Sequence, residues 1–518
     1  MIWRHSLAFL LAGLLAGCGA GEARGPGVDD WRSLLAKGDG GGAERALRRE
    51  IEAGTPAREL APFLGEAELQ QGNLAEAERW LATGEFAPST AAHGYHMLGR
   101  LRLRQGNLPA AGNSFDRALA SGPDDPELWV DVGRLRWIGG EQVEAIDAAK
   151  RAVKAGPDNP IALLFRAQLV RDAQGSAAAI PIFERGLAAS PDNADLLAEY
   201  AATLGEAGRA VDMLDAVRKL ARAAPGDRRS LYLQALLAAR AGRYDLARSL
   251  IERSGTLDRE VPAAMLLLAL VDMENGNYAS AAQGLDQLLR RQPDNVRVEA
   301  LLARALLLSG NHRELVARFS GRADSPYVAM LVGRAYEALG DRGKAARFID
   351  AALSGGPVKL APIRPAAVRA NLGEGATAVE YTRAALVDGR AGMALARTGE
   401  YLTRHSGSVE ALELAGDTAL AAGDAGRAIQ LYTRAASVRR TWPMVVKMTA
   451  AFDRLGLSSE ATDLVARHLK GEPANADAAV LLARRLLDRG DRPRADALTE
   501  YARSRGRNDR ALLSLRPG

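Results

Sequence analysis

The sequence contains very little cysteine: Cys18 is the one cysteine among 518 residues. A single thiol cannot form an internal disulfide or build a cysteine-based metal site. Aromatic residues are also scarce, at 5%. Only eight of the 68 basic residues are lysine, so nearly all the positive charge is arginine, and the net charge is just +5. The composition therefore excludes a disulfide scaffold, and it lacks the strong basic patch or tail that is typical of nucleic-acid binding.

Long apolar runs are missing after Cys18, so the sequence predicts no membrane-spanning helix in the rest of the chain. Before it, Arg4 supplies a positive charge, residues 7–15 form an apolar stretch, and the small residues Ala16 and Gly17 follow. This order is typical of a secretory signal peptide. The apolar stretch is shorter than the ~20 residues that a spanning helix needs.

The block Leu15-Ala16-Gly17-Cys18 resembles the lipobox of bacterial lipoproteins. The resemblance implies that residues 1–17 are removed as a signal peptide and that Cys18 carries acyl chains such as palmitate. Gly19 replaces the aspartate that usually retains such proteins at the inner membrane. We therefore expect a lipid anchor in the outer membrane, facing the periplasm, and a flexible tether over residues 18–28. An ordinary signal peptide, or an N-terminal membrane anchor with a chance cysteine, is the alternative.

Residues 95–125 place small and aromatic side chains at fixed offsets, with Gly99, Ala111, Phe115 and Pro123. The closing proline recurs every 34 residues, at Pro123, Pro157, Pro191 and Pro225. The pattern resembles the tetratricopeptide repeat, a helix–turn–helix of 34 residues. The small residues let two helices cross closely, the aromatic ring fills the space between them, and the proline ends the second helix.

The resemblance implies an all-α fold, a right-handed superhelical solenoid of about fourteen helical hairpins. We predict an N-terminal array over residues 29–357 and a C-terminal array over residues 409–518. Between them, residues 358–408 lose the period at several prolines and glycines. These residues are either two degenerate repeats or a joint, with helices still indicated near residues 376–387 and 391–404.

The sequence contains no pattern that predicts catalysis. No glycine-rich phosphate loop follows a strand, and the thiol of Cys18 is assigned to lipid. His93 and His96 share a helix face, but two imidazoles without further ligands are a weak metal signal. We therefore expect no catalytic residue, no metal and no cofactor, and we do not expect an enzyme.

The concave face of such a solenoid is lined mainly by the first helix of each hairpin. The resemblance places repeat positions 2, 5, 9, 12 and 13 on that face. Carried over to this chain, they give a candidate partner-binding groove that includes His93, His96, Arg100, Arg104, Arg134, Trp137, Arg171, Arg304 and Arg334. Arginine beside tryptophan is common at interaction hot spots. The alternative is that an arginine-rich chain scatters arginine over its faces without any binding role.

The residues and the resemblance together predict a membrane-anchored periplasmic scaffold that binds other envelope proteins. The chain is similar to lipoproteins of this fold that serve exopolysaccharide export, exosortase-linked systems and pilus assembly. The arginine groove would suit an acidic segment of a partner protein or an anionic polysaccharide, and no nucleic acid is expected. The second hypothesis is an outer-membrane regulator of a peptidoglycan synthase or hydrolase.

Overall fold

A computed structural model describes residues 30–255, 260–323, 325–353, 381–382, 385–386 and 388–505. Cys18 and most of the helix predicted near residues 376–387 lie outside these ranges. The described residues form 27 α-helices and no strand, so the all-α prediction is confirmed. Within the same ranges, no helix is both long enough and apolar enough to cross a bilayer.

The described residues fall into two compact units. Unit 1 combines residues 30–209, its first segment, with residues 381–505, its second segment. Unit 2 comprises residues 210–353. The sequence predicted one array over residues 29–357 and gave no sign of a division after residue 209.

The first segment of unit 1 contains eleven helices in its described residues. They are α1 (Trp31–Ala36), α2 (Gly40–Glu52), α3 (Ala57–Gln71), α4 (Leu74–Leu81), α5 (Ala91–Arg104), α6 (Leu108–Ser121), α7 (Pro126–Ile138), α8 (Gln142–Ala155), α9 (Pro160–Gln174), α10 (Ser176–Ala189) and α11 (Ala194–Glu206).

Unit 2 contains nine helices in its described residues. They are α12 (Ala210–Ala223), α13 (Arg228–Arg240), α14 (Tyr244–Arg253), α15 (Pro262–Glu274), α16 (Tyr278–Arg291), α17 (Val296–Leu308), α18 (His312–Phe319), α19 (Pro326–Ala338) and α20 (Arg342–Leu353).

The second segment of unit 1 contains seven of these helices. They are α21 (Ala391–Arg404), α22 (Val409–Ala421), α23 (Ala425–Val438), α24 (Trp442–Arg454), α25 (Ser458–Gly471), α26 (Ala476–Asp488) and α27 (Arg492–Ser504). Helix α21 confirms the second helix that the sequence predicted between residues 358 and 408.

Turn and cap residues set the ends of these helices. Asn159 follows Pro157 closely and accepts a hydrogen bond from the N–H of Ala162 at 2.9 Å, which starts α9. Inside the hairpins, Gly106 and Gly140 turn the chain with φ of 75° and 81°, where a side chain would be strained. The same left-handed turn recurs at 34-residue spacing in unit 2, at Gly242, Gly276 and Gly310. The repeat therefore continues beyond the prolines that first revealed it.

The close crossing of the two helices in a hairpin is confirmed at Gly99. A Cβ at this position would overlap the ring of Phe115, which is almost fully buried. Gly416 and Tyr432, at the same spacing, repeat the arrangement in the second segment of unit 1. Ala111 is also fully buried. In these two hairpins, one large side chain thus packs over a residue without a side chain of its own.

Candidate partner-binding surfaces

Six of the nine predicted groove residues lie on α5 and α7, the first helices of two successive hairpins, which pack side by side. On α5, residues three or four apart share one face of the helix. These six residues are His93, His96, Arg100 and Arg104 on α5, and Arg134 and Trp137 on α7. The structure therefore places these six residues on two adjacent helices, and their role in binding stays a prediction.

A buried carboxylate, Asp131 on α7, lies at the centre of this group and is 3% exposed. Its oxygens lie 2.8 Å from Nε2 of His96 and 3.0 Å from Nη1 of Arg134, and they also pair with Nε of Arg100. Arg100 Nη2 lies in addition 3.2 Å from Oε2 of Glu127. Both arginines therefore pair with acidic residues of the same chain, which reduces the charge that they can offer to a partner.

The charges in this cluster stabilise each other. Burial alone would raise the pKa of Asp131, but the Arg100 guanidinium and the hydrogen bond with His96 outweigh it and hold that pKa well below its usual range. Burial alone would lower the pKa of Arg100, but Asp131 and Glu127 raise it above the ordinary value. Asp131 and Arg100 are therefore both charged at neutral pH, and removal of either one would strongly destabilise the fold.

Two further residues, near the two ends of α5, contact α3 of the preceding hairpin. His93 Nε2 lies 2.9 Å from Oε2 of Glu66, and its ring stacks on Phe63 with centroids 4.7 Å apart. Arg104 donates a hydrogen bond to the carbonyl of Leu69. Because the two histidines of α5 contact different carboxylates, they do not share a ligand. No group of three or more histidine, cysteine or acidic residues suited to a metal ion occurs in the described ranges.

Trp137 and Arg171 take part in the packing of the first segment. Trp137 is partly buried and packs against the core cluster that contains Val130. Arg171, on α9, is 9% exposed and donates to Glu199 at 2.8 Å and to Thr203 at 2.9 Å. The part that these groove residues play in binding stays a prediction, whereas their part in joining neighbouring hairpins is visible.

The two remaining predicted residues lie in unit 2, where α17 and α19 are neighbouring first helices. Arg304 on α17 is exposed, and no described residue forms a hydrogen bond or ion pair with it. Arg334 on α19 is exposed and lies 2.7 Å from Glu337 of its own helix. Two large side chains of these helices are also open to solvent: Leu308 is 43% exposed and Tyr327 is 49% exposed.

Helical spacing places these side chains on two adjoining faces. Arg304 and Leu308 are four residues apart on α17, and Tyr327 and Arg334 are seven apart on α19, so each pair shares a face. We call these four residues the unit 2 surface. The predicted groove residues include Arg304 and Arg334 of this surface but not Leu308 and Tyr327. Applying repeat positions 13 and 2 to these hairpins would have found both.

Comparisons with known proteins address the repeats directly. One sequence model of the tetratricopeptide repeat matches residues 32–90, 96–160 and 144–194, and a second model of this repeat matches residues 238–312. The search of curated proteins finds no match. The matched residues lie in both units, within helical hairpins described above.

Several solved structures are similar to this chain at low sequence identity. Human IFIT1, as a dimer with PPP-AAAA, is 16% identical, covering 79% of this chain and 94% of that chain, with a TM-score of 0.38. The pilF protein of Pseudomonas aeruginosa is 19% identical over 45% of this chain and 93% of its own, with a TM-score of 0.32. PilW, described as a widely conserved type IV pilus biogenesis factor, is 20% identical over 45% and 94%, with a TM-score of 0.31. The sequence matches and the helical hairpins together show that this chain contains tetratricopeptide repeats, between residues 32 and 194 in unit 1 and between residues 238 and 312 in unit 2.

Proposed function

We propose that this chain is a lipid-anchored scaffold of the bacterial cell envelope, with no reaction of its own. It binds other envelope proteins through the first helices of its repeats, and it serves exopolysaccharide export or the assembly of a pilus or secretion system. The observation that carries the binding role is the unit 2 surface. It combines an exposed tyrosine, an exposed leucine and an arginine without an ion-pair partner among the described residues.

Three physical properties of this surface support a protein partner. Tyr327 and Leu308 lose solvent-exposed apolar area when a partner covers them, which is favourable at about 25 cal/mol per Å². Arg304 can form a bidentate ion pair with a partner carboxylate, because no described residue forms a hydrogen bond or an ion pair with its guanidinium. Tyrosine and arginine are also the residue types that most often dominate binding energy in interfaces. The partner segment should therefore be partly apolar and carry acidic side chains.

The anchor part of the proposal rests on the lipobox-like block that ends at Cys18. Several acyl chains at one N-terminus hold a protein at a membrane stably, whereas one chain does not. A strain fed a labelled fatty acid should incorporate it into the wild-type protein and lose it in Cys18→Ala, whose precursor should stay uncleaved. Normal processing and unchanged membrane retention of Cys18→Ala would overturn the lipoprotein proposal and leave the repeats unaffected.

Site-specific photocrosslinking in living cells tests the scaffold role. A photoreactive residue at Tyr327 should crosslink to one defined envelope protein, identified by mass spectrometry. The same residue at Gln283, exposed on the second helix α16, is the matched control and should not give that product. Equal products at both positions, or none at Tyr327, would contradict a binding role for the unit 2 surface.

The identity of the crosslinked protein separates the two functions that the sequence allowed. A component of polysaccharide export, pilus or secretion machinery supports the scaffold proposal. A peptidoglycan synthase or hydrolase supports the regulator instead, and assays of that enzyme with and without the purified chain would then measure its activation.

A further inference from the structure

The two segments of unit 1, far apart along the chain, contact each other through their helix ends. Helix α23 packs on α8 and α9, and α25 packs on α10. The N–H of Val143 donates to the carbonyl of Gly407 at 3.4 Å, and the N–H of Arg440 donates to the carbonyl of Asp172 at 3.2 Å. The second segment therefore contacts the first through two hairpins, α22–α23 and α24–α25, which pack on the hairpins α7–α8 and α9–α10.

The groups that form these hydrogen bonds are ones that a helix leaves without internal partners. Val143 is the second residue of α8, so its N–H is one of four that cannot bond within the helix. Asp172 lies in the last turn of α9, where carbonyls are likewise unpaired. The N–H of Val409, the first residue of α22, donates to Oε1 of Gln142 at 3.2 Å. Water can satisfy all these groups, so separating the segments would break no helix.

The apolar part of the contact is small, and each segment has a core of its own. Val438 of α23 is buried in a cluster with Val130 and Ile146 of the first segment. Val143 and Val409 are only partly buried at the border of this cluster and the main cluster of the second segment. That main cluster is otherwise built from α21–α27. The second segment therefore retains most of its hydrophobic core when it is detached.

The two segments approach each other most closely at two glycines. A Cβ on Gly471, at the end of α25, would lie 2.6 Å from the carbonyl oxygen of Gln174. A Cβ on Gly175 would lie 2.8 Å from the carbonyl oxygen of Gly471 and 3.1 Å from its Cα. Both glycines are buried. Because backbone meets backbone here, even alanine cannot be accommodated without moving the segments apart.

A carboxylate at the same contact opposes docking. Glu144 Oε2 is buried and lies against Gly407, and no described residue forms a hydrogen bond with it. Burial of a charged oxygen without a partner is unfavourable, so the ionised side chain weakens the closed arrangement. The close packing at the two glycines therefore favours the docked state, and the buried carboxylate of Glu144 disfavours it.

We propose that the second segment of unit 1 is a releasable clasp, which docks on α8–α10 through Gly471, Arg440 and Val438 and detaches as a folded body. In the closed state, the first helices of both segments keep one fixed orientation, so a partner that contacts both segments binds that state. In the open state, Val143 and Val438 are uncovered. The clasp is independent of which partner the unit 2 surface binds.

A distance measurement tests the clasp in the full chain. Cysteines replace Lys150 on α8 and Thr433 on α23, which are both exposed, and Cys18→Ser removes the native thiol. Spin labels at these sites report the separation of the segments by double electron–electron resonance. The closed state gives a short distance, and Glu144→Gln should increase its population because the buried charge is removed.

The opening variant is Gly471→Ala, which should lose the short-distance population while the helical signal in circular dichroism is retained. Gly399→Ala is the matched control, since it also lies within a helix of the second segment and has no atom within 4 Å of an added Cβ. An unchanged distance distribution in Gly471→Ala overturns the proposal, because the contact then does not depend on the glycine fit. Loss of helical signal in that variant also overturns it, because a releasable clasp must open without unfolding.

Hydrogen exchange gives an independent measurement on the chain without labels. The amides of Val143, Val409 and Arg440 should exchange faster than core amides of the same segments, and Gly471→Ala should remove their remaining protection. If these three amides are as protected as the cores, the contact is permanent, and the clasp is excluded.

Discussion

Nε2 of His96 lies 2.8 Å from Oδ2 of Asp131, and both side chains are almost fully buried between two successive hairpins. Asp131 also pairs with Arg100 and Arg134. A line of polar pairs therefore connects α5 to α7 on the side where the repeats were expected to bind a partner. Replacing any member of this line should affect stability before it affects binding, which distinguishes it from the unit 2 surface.

Asp131→Asn should lower the free energy of unfolding by on the order of 3 kcal/mol, because it leaves the Arg100 guanidinium without its main partner in a largely buried site. Urea denaturation followed by circular dichroism measures this change. Asp147→Asn is the matched control, since Asp147 is 62% exposed and pairs with Lys150 at 2.7 Å. Exposed pairs contribute about 0–1 kcal/mol, so equal losses in the two variants would contradict the central role of Asp131.

The contribution of Asp131 to stability should depend on pH in one direction. Its pKa in the folded state lies below the ordinary value of about 3.9. A carboxylate of this kind contributes its full stability above its unfolded pKa and loses it as the pH falls towards the folded pKa. The difference in unfolding free energy between wild type and Asp131→Asn should therefore narrow below about pH 4. A difference that stays constant or widens between about pH 5 and pH 2 would refute this linkage.

Gly99→Ala should destabilise its hairpin by ~1–3 kcal/mol, because the added methyl group overlaps the ring of Phe115. Gly399→Ala is also a substitution within a helix, but nothing lies near its added Cβ. It should therefore stabilise α21 by about 0.5–1 kcal/mol, the usual gain when alanine replaces glycine in a helix. Thermal unfolding measures the stability of both variants. A stabilised Gly99→Ala would contradict the prediction, because it would show that the helix crossing can accommodate a methyl group.

The hairpins could be predicted because their signals are local. Pro123, Pro157, Pro191 and Pro225 each mark the end of the second helix of a repeat. Gly99 and Phe115, within one repeat, mark the close crossing of its two helices. Glycines in the left-handed conformation, such as Gly242 and Gly276, are a further local signal, because they continue the 34-residue spacing through the weaker units. The repeat pattern also placed His96 and Arg134 on neighbouring helices.

What the sequence did not reveal depends on contacts between distant residues. Whether Arg100 faces a partner or Asp131 depends on the separation of α5 and α7, which the repeat pattern does not give. The contact between Val143 and Gly407 joins residues more than 260 positions apart, and nothing near either residue indicates it. Gly471, the last residue of a helix, would have been interpreted as an ordinary helix end. Only the structure shows that the backbone of Gln174 packs directly against Gly471.

Arg304→Ala should weaken binding of the crosslinked partner by about 1–2 kcal/mol, a factor of roughly 5–30 in affinity, without a change in unfolding free energy. The reason is that Arg304 has no ion-pair partner among the described residues, so its removal leaves nothing buried and unpaired. Arg313→Ala is the matched control, because Arg313 is also exposed, lies on the neighbouring second helix α18 and likewise has no pairing within the described ranges. Titration of the purified partner at increasing salt measures both variants. The difference between them should shrink as salt screens the arginine, and equal affinities at low salt would exclude Arg304 from the interface.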